Sequence, residues 1–141
     1  MSLLKCSAQR KDFMTEITLE EIEQYVIERE RRRKNSWAAC LVRVLWPYSE
    51  RGMLRLDAIY AVQELRTRLG VSIPPTLEHT VQSAYNSHCE GSKVFAARNV
   101  DETEAFFHPV GRKGSGRWAV YRGRAEVWLK NKRLNLDEEG D

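Results

Sequence analysis

The sequence lacks any long apolar run, and this absence is its first informative property. No stretch approaches the ~18–20 consecutive apolar residues that a membrane-spanning helix needs. Residues 1–12 contain neither a long apolar segment nor the small-residue cleavage site of a secretory signal. We therefore expect a cytoplasmic protein with no membrane partner. The apolar fraction of 42% in 141 residues is enough for one packed core, which argues against disorder.

Cysteine and histidine are also scarce, and their spacing disfavours a catalytic or metal-binding protein. The three cysteines lie at positions 6, 40 and 89, so they form neither a disulfide framework nor a CxxC pair. His79 and His88 fall on nearly opposite sides of a predicted helix and could not share a metal there. We interpret His88 as a histidine at the edge of the core. The acidic residues lack the clustering that a nuclease needs, so we expect no catalytic residue, metal or cofactor.

Positive charge is moderate overall, at a formal net charge of +3, but it is concentrated in two blocks. The first block runs from Arg29 to Lys34 and carries five cations against one glutamate. The second runs from residue 111 to residue 133 and carries eight cations against Glu126. Such blocks can contact a phosphate backbone without a large net charge. For the first block, complementing the dipole of a helix C-terminus is an equally good interpretation.

The spacing of apolar residues and of capping residues predicts five helices and three strands. A capping box at Thr18–Glu21 begins the first helix, Asp57 is a plausible N-cap, and Gly70 is a suitable C-cap. Pro109 predicts an edge position or a bulge for its strand. Residues 94–97 are predicted to form a strand or a packed loop. The predicted helices cover residues 18–34, 36–46, 57–69, 76–89 and 124–134, and the predicted strands cover residues 53–56, 105–110 and 116–122.

From residue 36 onward this order is that of a winged helix-turn-helix. In that architecture a short strand follows the first of three helices, and a hairpin called the wing follows the third. We therefore predict an α+β fold, a winged helix-turn-helix with an additional N-terminal helix and a short C-terminal helix. The predicted organisation is an arm and amphipathic helix over residues 1–35, a winged-helix domain over residues 36–123, and a C-terminal helix with an acidic tail over residues 124–141.

Three segments resemble winged-helix modules found with bacterial restriction and related DNA-processing proteins. They read TVQSAYNSHCEGSKVF, DETEAFF and VGRKGSGRWAVYR. The HARE-type winged helices are more distant relatives of the same pattern. The resemblance covers residues 36–122 and implies binding of double-stranded DNA, with helix 76–89 near a groove and the wing along the backbone. It also implies a regulatory role, or a role in a restriction, defence or DNA-processing system.

The candidate DNA-contacting residues lie on helix 76–89, on the hairpin and at the end of the first helix. Gln82 and Asn86 carry amides of the kind that pair with adenine in the major groove. The cations beside the GRKGSG loop suit phosphate contacts, and the loop does not have the spacing of a nucleotide-binding loop. The complete candidate set is Thr76, His79, Thr80, Gln82, Ser83, Asn86, Arg112, Lys113, Ser115, Arg117, Arg31 and Arg32.

Helix 76–89 nevertheless carries no lysine or arginine on its outer face, and Glu78 would repel phosphates. A second hypothesis therefore stays open, in which the chain is a protein–protein interaction or assembly module without direct DNA contact. Under this hypothesis the amphipathic first helix could supply the surface of a homodimer.

Overall fold

The fold is described by a computed structural model for residues 17–112 and 116–131. Within these ranges it is α+β, with six α-helices and one three-stranded antiparallel sheet. The helices are α1 (Leu19–Arg32), α2 (Ser36–Leu45), α3 (Arg55–Leu69), α4 (Leu77–Ser87), α5 (Lys93–Ala97) and α6 (Arg122–Lys130). The strands are β1 (Met53–Leu54), β2 (Phe107–Pro109) and β3 (Arg117–Val120). None of the described helices is long and apolar enough to cross a membrane.

Local signals set several of the helix ends. The predicted capping box of α1 is confirmed, since the Thr18 hydroxyl accepts from the Glu21 amide at 3.1 Å and the Glu21 carboxylate accepts from the Thr18 amide at 2.8 Å. Gly70 ends α3 in the left-handed conformation, with φ of 74°. The Ser92 hydroxyl accepts from the Phe95 amide at 3.0 Å and begins α5. The predicted strand or packed loop at residues 94–97 is therefore wrong, because a capped helix occupies this segment.

Two predicted helix starts are also wrong, in both cases because the helix follows a strand directly. α3 begins at Arg55, since the Arg55 amide donates to the Gly116 carbonyl at 2.9 Å and needs no cap within its own helix. Asp57 is therefore not the N-cap and lies in the first turn, where its charge complements the helix dipole. α6 begins at Arg122, immediately after β3, so the predicted boundary after residue 123 lies inside a helix. The predicted end at residue 134 lies outside the described residues.

The sheet has the order β1–β3–β2, with β3 in the centre. Met53 is opposite Trp118, and Phe107 is opposite Val120. β2 is an edge strand, which confirms the position predicted from Pro109. Gly52 precedes β1 with φ of 71°, and a Cβ there would lie 2.5 Å from the Trp118 carbonyl oxygen. The close approach of β1 to β3 therefore requires glycine at this position.

One hydrophobic core extends from Ile17 to Leu129 and includes side chains from all three predicted segments. Ile22 and Val26 of α1 are completely buried within this core, and most of the residues of α2 are buried as well. α1 and α6 therefore pack on the central segment as parts of one unit. Because the apolar side of α1 is used inside the chain, the predicted homodimer through this helix would have to use its polar side.

A fully buried arginine joins the first three helices. The Arg66 guanidinium donates to the Glu30 carboxylate at 2.8 Å, to the Ser72 carbonyl at 2.8 Å and to the Ser36 hydroxyl at 3.3 Å. It also lies 3.7 Å from the centre of the Trp37 ring. Burial disfavours the charged form of Glu30, but hydrogen bonds from Ser36 and Arg66 outweigh it and lower the pKa of this carboxyl. We call these five residues the buried arginine cluster.

Candidate nucleic-acid interface

The predicted polar side chains lie along one side of α4. The opposite side is fixed by Val81 and Tyr85, which are buried in the core. Thr76 stands at the N-cap position, but its hydroxyl lies 3.3 Å from the Thr80 hydroxyl and makes no capping hydrogen bond. On the outer side Thr76, His79 and Ser83 are exposed, and Thr80, Gln82 and Asn86 are partly buried. The structure thus brings six of the twelve predicted site residues together on one surface.

An arginine from the neighbouring helix lies across this surface, and sequence reasoning missed it. Arg55 Nε donates to Gln82 Oε1 at 2.6 Å, and Arg55 Nη2 donates to Glu78 Oε2 at 2.8 Å. Gln82 Nε2 in turn donates to Asn86 Oδ1 at 3.2 Å. We call Glu78, Arg55, Gln82 and Asn86 the relay. It supplies the cation that α4 lacks and pairs the carboxylate that would otherwise repel phosphates.

The relay borders a cleft of about 300 Å³ between α4 and the β2–β3 hairpin. Asn86, Ser92, Gly116 and Arg117 line the cleft, together with the relay residues Arg55 and Gln82. Its inner wall contains the rings of Tyr85 and Trp118, which are stacked with centres 4.0 Å apart and planes 9° apart. Polar groups therefore surround a rigid aromatic wall, an arrangement that suits a ligand with both hydrogen-bonding edges and flat faces.

One backbone hydrogen bond closes the base of the hairpin, and a second attaches the hairpin to the start of α3. The Val110 amide donates to the Arg117 carbonyl at 3.1 Å, and the Gly116 carbonyl accepts from Arg55. Arg112 lies beyond this base, is exposed, and makes no hydrogen bond or ion pair with any described residue. Its position thus fits the predicted phosphate contact. The predicted contacts Lys113 and Ser115 lie outside the described residues.

Several other cations of the second basic block bind backbone carbonyls. Arg117 donates to the Gly52 carbonyl at 3.3 Å, and Arg122 donates to the Trp46 carbonyl at 2.8 Å. Arg124 does the same with a carbonyl that precedes β2, at 2.9 Å. Each of these three side chains is partly exposed and also has an acceptor within the protein. The DNA contact of Arg117 stays a prediction, and its side chain also binds the backbone next to β1.

The first basic block contains one buried arginine and exposed ones. Arg29 is buried, its guanidinium carbon lies 4.1 Å from the centre of the Trp128 ring, and Nη2 donates to the Leu129 carbonyl at 3.2 Å. It therefore joins α1 to α6. Arg31 and Arg32 are exposed on the last turn of α1. The DNA contact of Arg31 and Arg32 remains a prediction.

The predicted core-edge position of His88 is confirmed. Its ring is buried and stacked on Phe106, with centres 4.6 Å apart, and Nδ1 lies 3.2 Å from Arg98 Nη1. Burial, together with the charges of Arg98 and Arg29, lowers the pKa of His88 from 6.5 to about 3. The imidazole is therefore neutral at physiological pH, and Nδ1 can accept a hydrogen bond from Arg98.

Comparison of the chain with protein-family models, with curated proteins and with solved structures gave no match. The resemblance to bacterial winged-helix modules therefore remains a prediction from the sequence. A functional conclusion has to be drawn from the relay, the cleft and the hairpin.

The histidine, cysteine and acidic side chains of the described residues were the other candidates for chemistry. Within residues 17–112 and 116–131, no group of three or more histidine, cysteine, aspartate or glutamate side chains could hold a metal ion. Cys40 and Cys89 are both buried. Burial raises the pKa of Cys40 to about 11, which is the opposite of the shift that a nucleophilic thiolate requires.

Proposed function

We propose that this protein binds double-stranded DNA as a winged-helix protein without catalytic activity. In this proposal α2, α3 and α4 are the three helices of the module, and the β2–β3 hairpin is the wing. The order of these elements supports the proposal, since β1 follows α2 and pairs with β3, the hairpin strand at the centre of the sheet. α4 would lie in a groove while the hairpin follows the phosphate backbone.

The observation that carries the proposal is the polar cleft between α4 and the hairpin. A recognition surface needs donors at the base edges and positive charge at the phosphates. The relay places the Arg55 guanidinium and two amides on the outer side of α4, and Arg112 is exposed beyond the base of the hairpin. The absence of a cation within α4 is thus offset by a neighbouring helix.

The proposal also includes a biological role, which rests on the resemblance of the three sequence segments. Winged-helix modules of that kind are found with bacterial restriction and DNA-processing proteins. We therefore propose a regulatory role, or a role in a restriction, defence or DNA-processing system.

DNA binding can be tested by fluorescence anisotropy with a labelled random-sequence duplex over a series of salt concentrations. We expect the logarithm of the association constant to fall linearly with the logarithm of the salt concentration. Replacing Arg112 and Lys113 together by alanine should weaken binding and lower the slope by about two, one unit for each lost phosphate contact. The absence of duplex affinity at low salt in the unmodified protein would reject the proposal.

A second double variant tests the other predicted contact. Arg31→Ala with Arg32→Ala removes the same amount of charge from the end of α1. An equal fall in slope would show that both basic regions contact phosphates. An unchanged slope would restrict the interface to the cleft and the hairpin, and would exclude net charge as the cause of the first result.

One observation favours the alternative of a protein–protein assembly module. Leu54 at the end of β1, and Leu56 and Tyr60 in the first two turns of α3, have 48%, 53% and 63% of their surface exposed. Apolar residues grouped in this way are frequent in protein interfaces. Sedimentation analysis of the wild-type protein and of a Leu56→Ser, Tyr60→Ser variant tests this alternative. It predicts an assembly that the variant loses, whereas a monomer in both samples contradicts self-assembly through this surface.

A further inference from the structure

The chemistry of arginine fixes which way each amide of the relay is turned. Arginine has only N–H donors, so the Gln82 atom 2.6 Å from Arg55 Nε has to be the carbonyl oxygen. The amide nitrogen of Gln82 then faces Asn86, at 3.2 Å from its side chain. Because an amide nitrogen does not accept hydrogen bonds, the Asn86 atom at this distance has to be its oxygen. The orientation of both amides therefore follows from Arg55.

Arg55 is itself held from two sides. Its Nη2 donates to Glu78, and its backbone amide donates to the Gly116 carbonyl at 2.9 Å. The backbone of Asn86 is held as well, since the Ser92 hydroxyl donates to the Asn86 carbonyl at 2.6 Å. The backbones of Arg55 and Asn86 are thus attached to neighbouring elements. Turning the amide of Gln82 or of Asn86 would break a hydrogen bond of the relay.

As a consequence, the relay presents donors at the cleft. The Asn86 oxygen is turned toward Gln82, so the Nδ2 amino group points away from Gln82. No described residue accepts a hydrogen bond from this amino group. Arg55 Nη1 also has no acceptor among the described residues. The relay therefore suits a ligand that presents hydrogen-bond acceptors to the cleft.

We propose that the relay recognises the acceptor edge of guanine in the major groove, an inference that rests on the proposed DNA binding. Guanine presents O6 and N7 there, which are both acceptors, whereas adenine presents the N7 acceptor beside the N6 donor. Bidentate pairing with adenine needs an amide that turns its oxygen and its nitrogen toward the base. Asn86 would have to leave Gln82 to do so. The relay therefore favours guanine over the adenine that the residue types alone predicted.

The acceptor end of the relay agrees with this assignment. Glu78 is largely exposed and uses Oε2 to bind Arg55. In a G·C pair the guanine acceptors lie beside the N4 amino donor of cytosine, with which a carboxylate can pair. A G·C pair thus offers acceptors for the Arg55 guanidinium and a donor for the carboxylate that lies 2.8 Å from it.

Phosphate oxygens are acceptors too, so the experiment has to separate guanine from the backbone. A preferred site is first selected from a random duplex library. Each guanine of that site is then replaced by 7-deazaguanine, which removes the N7 acceptor and leaves base pairing and phosphates intact. We expect one replacement to weaken binding by about tenfold in fluorescence anisotropy. The ratio of the two affinities measures guanine recognition and does not depend on backbone contacts.

Two variants test whether the relay is responsible. Asn86→Asp replaces the amino group by an oxygen of the same size, and the ratio should fall to about one. Ser87→Asp is the matched control, since it adds the same charge to the same helix at a residue outside both the relay and the predicted contacts; it should weaken binding to both duplexes and keep the ratio. In Gln82→Glu both oxygens at position 82 accept, so Asn86 has to turn its amide and the guanine preference should be lost.

The possible results separate this inference from the proposed function. Circular dichroism and thermal unfolding establish that each variant is folded, and Gln82→Glu provides a second test if Asn86→Asp is not. Duplex affinity without any effect of 7-deazaguanine overturns guanine recognition and leaves DNA binding intact. An effect that persists in Asn86→Asp and Gln82→Glu overturns the role of the relay. The absence of duplex affinity in the wild-type protein overturns both.

Discussion

Two arginines of α3 have the same side chain and opposite surroundings. Arg66, near the end of the helix, is enclosed by the buried arginine cluster and has no exposed surface. Arg55, at the start of the helix, has a partly exposed side chain that binds Glu78 and Gln82. The partners of Arg66 come from α1, α2 and the loop after α3, whereas the partners of Arg55 lie on α4.

The difference separates a charge that stabilises the fold from a charge that is available to a ligand. Arg66 directs its donors to acceptors that are already present inside the protein, so no ligand can use them. Arg55 keeps donors beside the cleft, and its two ion-pair and amide contacts orient it. A substitution at Arg66 should therefore affect stability, and a substitution at Arg55 should affect binding.

The largest effect is expected for Arg66→Ala. The substitution leaves the Glu30 carboxylate without its main partner and removes the stacking on Trp37, so the free energy of unfolding should fall by about 3 kcal/mol. Urea denaturation measures this loss. Arg68→Ala is the control, because this arginine is more than half exposed and pairs with Glu23 at 2.7 Å; it should cost less than about 1 kcal/mol. Equal losses in both variants would contradict the structural role of Arg66.

A smaller effect on the free energy of unfolding is expected when the pH is lowered, because His88 is buried. The pKa of His88 is about 3 in the folded protein and 6.5 as an ordinary side chain, so the unfolded chain takes up a proton first as the pH falls. The stabilisation is complete above the unfolded pKa and is lost progressively as the pH falls toward the folded value. Between about pH 7.5 and about pH 5 the free energy of unfolding should fall by about 2 kcal/mol from this group.

The contribution of His88 can be isolated by denaturation at several pH values. His88→Gln keeps an acceptor for Arg98 but does not titrate, so its stability should depend less steeply on pH. The control His79→Gln, at an exposed position, should keep the wild-type dependence. The same slope in all three proteins would show that the burial of His88 is not the cause.

The smallest change in free energy is expected for Arg55→Ala, and it should appear in binding. Loss of the guanidinium removes the cation next to α4 and releases Gln82, so duplex affinity should fall about tenfold. The free energy of unfolding should change by less than about 1 kcal/mol, because the ion pair with Glu78 is exposed. Anisotropy and urea denaturation on the same samples test both statements. A large loss of stability with unchanged affinity would show that Arg55, like Arg66, stabilises the fold, and would contradict the distinction between the two arginines.

Features that depend on short-range signals could be predicted from the sequence. The capping box at Thr18, the helix end at Gly70 and the edge strand with Pro109 each follow from neighbouring residues, and the structure confirms them. The apolar spacing of residues 36–46 likewise predicted a helix, which the structure places at residues 36–45. The α+β class followed from the order of these elements. The winged-helix assignment and the DNA contacts stay predictions.

Features that depend on distant residues could not be predicted in this way. Arg55 and Gln82 are 27 positions apart, and no periodicity in the sequence joins them. The carbonyls that bind Arg117 and Arg122 belong to segments 65 and 76 positions away, so a count of charges along the sequence does not reveal these partners. The short apolar run at residues 94–97 suits a strand or a helix, and only the Ser92 cap distinguishes them.

The backbone hydrogen bonds around the base of the hairpin have a consequence for protein engineering. The Val110 amide binds the Arg117 carbonyl and the Gly116 carbonyl binds the Arg55 amide, so sequence positions 111–115 fall between the two attachment points. We therefore expect a replacement loop of different length or charge to leave the register of β2 and β3, and the anchoring of Arg55, unchanged. If the hairpin follows the phosphate backbone as proposed, loops grafted at this position would tune that affinity separately from the relay.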